Sequence, residues 1–176
     1  MLLSACSTNK TQGNVVPINR PTTVQIRYDT QAIPAGAVFS WLPGLTGMYQ
    51  DGRLSHTDMD ELLKKGIVNA LIEKGYQFTE NASGADYTIA YTAALESALS
   101  DDEALKTFGV QPGLIVSKDS TQNVEKGTLV IDVINQTTGR MHWRSSGQTL
   151  AKLEQMSQQQ RQQRINQFIK MMLSDL

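Results

Sequence analysis

Four residues near the start of the chain, Leu3-Ser4-Ala5-Cys6, stand in the order that a bacterial lipobox requires: an apolar residue, two small ones, then cysteine. The chemistry is modification of a thiol. A cysteine in that setting carries lipid on its sulfur and becomes the first residue of the mature chain. Cys6 is the single cysteine, so an internal disulfide is excluded. A secretory signal opens with a charged stretch and an apolar core of about 7–15 residues. Only Met1 to Ala5 precede Cys6, and none of them is Lys or Arg. Residues 1–5 are therefore expected to be the remnant of a longer signal peptide whose start lies upstream.

The other residue types that could do chemistry are sparse. His56 and His142 are the two histidines, one at a helix start and one in a strand. A zinc site takes three or four ligands from His, Cys, Asp or Glu. With Cys6 lipidated, these histidines would need carboxylates brought in by the fold, and no metal or cofactor is expected. Ser55-His56 beside Asp58 and Asp60 has the residue types of a nucleophile set. A triad is defined by geometry, however, and polar neighbours at a helix start read as caps. Gly44-Leu45-Thr46-Gly47 lacks the lysine and spacing of a phosphate loop. Asp86 reads as a turn or ladder-end acceptor. Arg140, His142 and Arg144 alternate along a predicted strand and form a basic row on one hairpin face. Such a row is either a solvated sheet face or an interaction face for anionic headgroups or an acidic partner. Trp41 and Trp143 fall in strands, where packing is expected over glycan stacking.

Bulk composition narrows the classes. A chain of 176 residues suits one domain, and at this size folding buries roughly 68–70% of the unfolded surface. Apolar residues are 40% and charged residues 19%, an ordinary globular mixture. Sixteen basic residues face 17 acidic ones, for a net charge of −1. That balance lacks the basic excess of a nucleic-acid binder. No window of about 18 apolar residues could cross a bilayer as a helix.

The elements follow from periodicity and punctuation. Ser7 to Pro21 is polar, with two prolines and a glycine, and reads as a linker. Its fifteen residues have an r.m.s. reach of about 20 Å. Val24, Ile26 and Tyr28 alternate with polar residues, the period of a half-buried strand. Residues 37–42 form a second strand, stopped by Pro43-Gly44. A helix over 55–74 carries Met59, Leu62, Leu63, Ile67, Ala70 and Leu71 on one face and ends at Gly75. Gly66 on that stripe lets the helix approach the sheet. Residues 85–95 make the strongest strand. Asp101 to Phe108 can form one or two helical turns, and 114–116 a brief edge strand. Residues 127–149 read as a hairpin, with Met141, Trp143 and Ser145 on the face opposite the basic row. A last helix spans 157–173, opened by a Ser157/Gln160 capping box. Its stripe is Ile165, Phe168, Ile169, Met172 and Leu173, and its glutamine-rich first half projects past the core.

Phe39-Ser40-Trp41-Leu42-Pro43, Glu73-Lys74-Gly75-Tyr76, Ala85-Asp86-Tyr87, Gly127-Thr128-Leu129-Val130-Ile131-Asp132-Val133 and Thr138-Gly139-Arg140-Met141-His142-Trp143-Arg144 follow the lipobox and its linker in order. Together they resemble the bacterial lipoproteins of domain-of-unknown-function family 4136, over roughly Val24 to Leu173. The resemblance implies a two-layer α+β domain in the Gram-negative envelope and supplies no catalytic motif. Envelope lipoproteins kept at the inner membrane often carry Asp after the lipidated cysteine. Ser7 stands there, so the resemblance implies the outer membrane, facing the periplasm.

The expectation is thus an α+β two-layer sandwich, with an antiparallel or mixed sheet of four to five strands and two main helices on one face. Residues 6–21 are the lipidated cysteine and flexible linker, and 22–176 the domain. The function expected is a lipid-anchored envelope protein with a binding or structural role and no catalysis. Its partners would be the membrane, through lipid on Cys6, and an envelope protein, with no nucleic acid. The alternative is a periplasmic accessory that carries a lipid or other apolar ligand between sheet and helices. That carrier would need a continuous apolar pocket on the order of 300 Å³ or more.

Overall fold

The computed structural model describes residues 21–48, 56–114, 124–152 and 156–176. Cys6, Ser55 and most of the 114–116 segment lie outside them. The strands are β1 (Thr22–Arg27), β2 (Val38–Trp41), β3 (Gly47–Met48), β4 (Gln77–Phe78), β5 (Tyr87–Leu95), β6 (Val124–Asn135) and β7 (Arg140–Lys152). The helices are α1 (His56–Glu73), α2 (Asp101–Phe108) and α3 (Gln158–Met172).

The strands make one sheet in the order β1-β7-β6-β5-β2-β4, with β3 on β5. The β1-β7-β6-β5 run is antiparallel. β2 and β3 lie parallel to β5, and β4 parallel to β2. This is the expected α+β class, but the described strands number seven against the four to five expected. The extra ones are two-residue pieces, β3 and β4, too short to carry an alternation of their own.

α1 and α3 cover one face. Leu63, Ile67, Ala70 and Leu71 of α1 pack with Ile169 and Met172 of α3 over Phe39, Ile89, Tyr91, Ile131, Val133 and Trp143 of the sheet. Each of the larger aliphatic side chains contributes about 1.5–3 kcal/mol by leaving water, so this layer holds the fold. Gly75, at φ +87°, turns the chain out of α1, and the Tyr76 N–H donates back to the Leu71 carbonyl at 3.1 Å. α3 opens with the capping box Ser157/Gln160.

α2 lies on the opposite face, where Leu99, Ala104 and Val110 pack on Ala94 and Val130. It is capped by Ser100 and Glu103. A polar clasp fixes its start. Lys126, 3% exposed, holds the Asp101 carboxylate at 2.6 Å, and Gln148 Nε2 donates to the same carboxylate at 3.0 Å. Gln148 Oε1 in turn accepts from the Gly113 and Leu114 N–H groups.

Thr22 of β1 pairs with Gln148, Leu95 with Gly127, and Val124 with Lys152, so these residues share one end of the sheet. β3 and β7 both finish there, so α1 and α3 start there and run side by side. Gln162 Nε2 donates to the Leu62 carbonyl at 3.2 Å, and Lys170 pairs with Glu73 at 2.8 Å. Among the described residues no helix is long and apolar enough to cross a membrane.

Candidate functional site

The basic row of the hairpin does not survive as a row. β7 carries one extra residue against β6: Val133 pairs with Trp143 but Ile134 pairs with Met141, leaving His142 as a bulge. A bulge turns two successive side chains toward the same face. His142 therefore sides with Trp143. It is 3% exposed, its ring edge-on to Tyr87 with centroids 5.2 Å apart. Its Nδ1 is buried without a hydrogen bond and lies 3.6 Å from the Asp29 carboxylate. Arg144 is on the other face, where Nε and Nη2 bind both oxygens of Asp132 at 2.5 and 2.7 Å. That hydrogen bonding, against the opposing effect of burial, raises the guanidinium pKa further above its ordinary range. Its Nη1 donates to the Phe108 carbonyl at 2.9 Å, tying α2 to the sheet. Arg140 alone is exposed, at the hairpin turn.

The remaining sequence candidates resolve in the same structural direction. Asp86 accepts the Val38 N–H at 2.8 Å and so seats β2 against β5, as a ladder-end acceptor does. It borders a polar cleft of about 390 Å³ with Tyr87, Asn135 and Gly36. Trp41 packs edge-on against Phe78 and Tyr91, and Trp143 is in the core. Tyr91 donates its hydroxyl to Asp60, whose other oxygen holds Lys64 at 2.7 Å. Burial, then the hydrogen bond and negative charge of Asp60, push the Tyr91 hydroxyl far above the ordinary tyrosine pKa. Among the described residues no group of three His, Cys, Asp or Glu side chains could hold a metal ion.

The concavity with the character of a binding site lies at the opposite end from the hairpin turn. It sits between the sheet ends and the first turns of α1 and α3, with a volume of about 170 Å³. Its floor is Ala93, Leu95, Leu129 and Leu150, and its walls are Met59 and Leu63 of α1 and Ile165 and Phe168 of α3. Met48 and Met156 close the sides. Gly147 makes room for one wall: a Cβ there would stand 2.8 Å from Phe168 Cζ.

Two charged side chains line this groove, Arg161 and Arg164. Arg164 donates to the Leu150 carbonyl at 3.2 Å and rests against the Met156 sulfur at 3.6 Å. Arg161 Nε is buried with no hydrogen-bond partner, an arrangement that costs about 1–3 kcal/mol or more for a charged group. No acidic side chain lines the groove among the described residues. Sequence reasoning missed these arginines by assigning the first half of α3 to a projecting polar segment. The signal was present: Arg161 and Arg164 stand four residues before Ile165 and Phe168 respectively, on the helical continuation of the apolar stripe.

Comparison with known proteins places the fold. The model of a domain of unknown function, DUF4136, matches residues 24–176. No curated protein is a match for this chain. Among solved structures, the PelC dodecamer of Paraburkholderia phytofirmans is similar at a TM-score of 0.51 and 13% identity, covering 89% of this chain and 98% of that one. A DUF4136 family protein of Bacteroides thetaiotaomicron is similar at a TM-score of 0.50 and 12% identity, covering 88% of this chain and 94% of that one. At such identities the likeness is one of fold.

Proposed function

This chain belongs to the DUF4136 family, and from that premise we propose that it is a lipid-anchored protein of the bacterial cell envelope with a binding or structural role. It sits at the outer membrane on the periplasmic side. The observation that carries the reading is Leu3-Ser4-Ala5-Cys6, followed by a polar, proline-containing stretch that leads directly to the first strand. Lipid on the Cys6 sulfur supplies the attachment, and Ser7 after it favours the outer membrane.

A non-catalytic role is supported by how the titratable groups are used. Lys126 and Asp101 hold α2, Arg144 and Asp132 hold its far end, Asp86 seats β2, and Tyr91 with Asp60 fixes the start of α1. Each joins one element to another.

The second reading, a carrier of an apolar ligand between sheet and helices, is favoured by the groove beside Arg161 and Arg164. Its volume of about 170 Å³ is short of the roughly 300 Å³ that a whole lipid or drug-sized molecule takes.

The test is metabolic labelling with radioactive palmitate, the gene being expressed from its own chromosomal context. Wild type takes up label and fractionates with outer membranes. Cys6→Ala loses both, and Ser7→Asp moves the labelled protein toward the inner membrane. An unlabelled wild-type protein in the soluble fraction overturns the proposal.

A further inference from the structure

The groove combines features that have no use in a packed core. Its lining is aliphatic, aromatic and methionine-rich, yet it is not filled. Its only charges among the described residues are two guanidinium groups with no carboxylate opposite. We infer that it binds a single acyl chain bearing a carboxylate, with Arg161 and Arg164 holding the head and the apolar walls taking the carbons that adjoin it.

Size decides for one chain. An apolar cavity of about 150 Å³ encloses one benzene-sized ligand. At about 170 Å³, this groove covers a comparable length of one acyl chain and leaves the rest along the open rim. Beneath it the core is closed by Ile67, Ile131 and Ile169, each fully buried, so a whole phospholipid has no room. Charge decides for an anion. Arg161 Nε is buried and unpartnered, and a planar guanidinium matches a carboxylate with two parallel hydrogen bonds. Arg164 is aimed by the Leu150 carbonyl and the Met156 sulfur, and a guanidinium has five N–H donors in all, so donors remain for a ligand. Met48, Met59 and Met156 give the wall unbranched, polarizable side chains that adapt to a chain of variable length.

Position agrees. β1 begins at Thr22, which pairs with Gln148, the neighbour of the groove residue Thr149. Residues 6–21 therefore join the domain at the end where the groove lies. The inference deepens the proposed binding role, and the anchor is what brings the groove near a source of acyl chains.

The test uses the full 176-residue chain with Cys6→Ser, so no lipid is attached, and methionine methyl groups labelled with carbon-13. Titrated with dodecanoate, the Met48, Met59 and Met156 methyl signals shift and saturate, while Met141 at the far end of β7 stays in place. Dodecanol and dodecyltrimethylammonium bind at least about tenfold more weakly. Arg161→Gln with Arg164→Gln removes that preference while the protein still unfolds in one cooperative transition, and Ala93→Leu fills the groove and abolishes the shifts. Absence of saturable shifts at the three groove methionines, equal binding of dodecanol, or a response to phosphatidylglycerol vesicles alone overturns the assignment. Palmitate labelling is read separately at Cys6. An unlabelled protein that still binds dodecanoate would remove the anchor and keep the groove, and the reverse result would do the opposite.

Discussion

Gly66 of α1 lies against Ile169 of α3 so closely that a Cβ on the glycine would stand 2.6 Å from Ile169 Cδ1. Asn166 Oδ1 and Ile165 Cγ2 are also near, at 3.1 and 3.3 Å. The glycine serves the helix–helix contact, where the sequence alone had assigned it to helix–sheet packing. In an exposed helix, Gly→Ala gains about 1 kcal/mol. Here overpacking, typically about 1–3 kcal/mol, opposes that gain. Gly66→Ala should lower stability by about 1 kcal/mol in urea unfolding. Gly66→Ala with Ile169→Val removes the colliding methyl and should recover most of the loss. A stabilised single variant would show that α1 and α3 can separate freely.

The Tyr91–Asp60 hydrogen bond makes a pH prediction. Tyr91 keeps its proton in the folded state to a pKa far above its ordinary value, chiefly through burial. The unfolded chain releases that proton near pH 10. Above that pH the native state binds more protons than the unfolded state, so stability falls as pH rises. Tyr76 and Tyr87 are raised too, both first by burial. Tyr91→Phe should cost about 1 kcal/mol at pH 7 and make the loss between pH 10 and 11.5 shallower than in wild type, with a remainder from Tyr76 and Tyr87. Parallel curves for the two proteins would show that Tyr91 does not carry the dependence.

Arg144 and Asp132 form a pair with side chains 20% and 19% exposed. A fully buried pair costs about 3–5 kcal/mol to break by removing one partner, and a surface pair about 0–1 kcal/mol. Arg144→Met should fall between, at about 2 kcal/mol, because it strands Asp132 and removes the bond to the Phe108 carbonyl. The Gly109 and Val110 amides should exchange faster as the end of α2 loosens. Arg144→Met with Asp132→Leu should regain most of the stability. Unchanged exchange would mean that the apolar contacts of Ala104 and Val110 are enough to seat the end of α2.

The helices and long strands were legible because their signals are local. The Ser157/Gln160 box, the Ser55–Lys74 stripe and the Asp101–Phe108 turns all correspond to α3, α1 and α2. The site was not legible, for two physical reasons. Alternation along β7 assigns Arg140, His142 and Arg144 to one face, but a single bulged residue inverts everything on one side of it, and nothing in the hairpin sequence marks His142 as the bulge. The groove is assembled from β3, β5, β6, β7, α1 and α3, and residues so far apart in sequence leave no joint signal. The arginines on the α3 stripe were the one local clue.

β1 shows the same limit from the other side. Its apolar residues are exposed, Val24 at 47% and Ile26 at 41%, although their alternation reads as a buried face. Two of its polar residues, Gln25 and Arg27, reach the end of α3. Gln25 donates to the Ser174 hydroxyl at 2.8 Å and the Met171 carbonyl at 3.3 Å, and accepts from the Asp175 N–H at 3.2 Å. Arg27 donates to the Asp175 carbonyl at 2.5 Å. These bonds tie β1 to the C-terminal end of α3. Gln25→Ala should therefore destabilise by about 1–1.5 kcal/mol. Val24→Thr, which keeps a β-branched side chain in the strand, should stay within about 0.5 kcal/mol of wild type. Urea unfolding of the two variants decides the orientation of the strand. A larger loss from Val24→Thr would mean that Val24 is covered in the assembled protein, and would turn attention to what covers it.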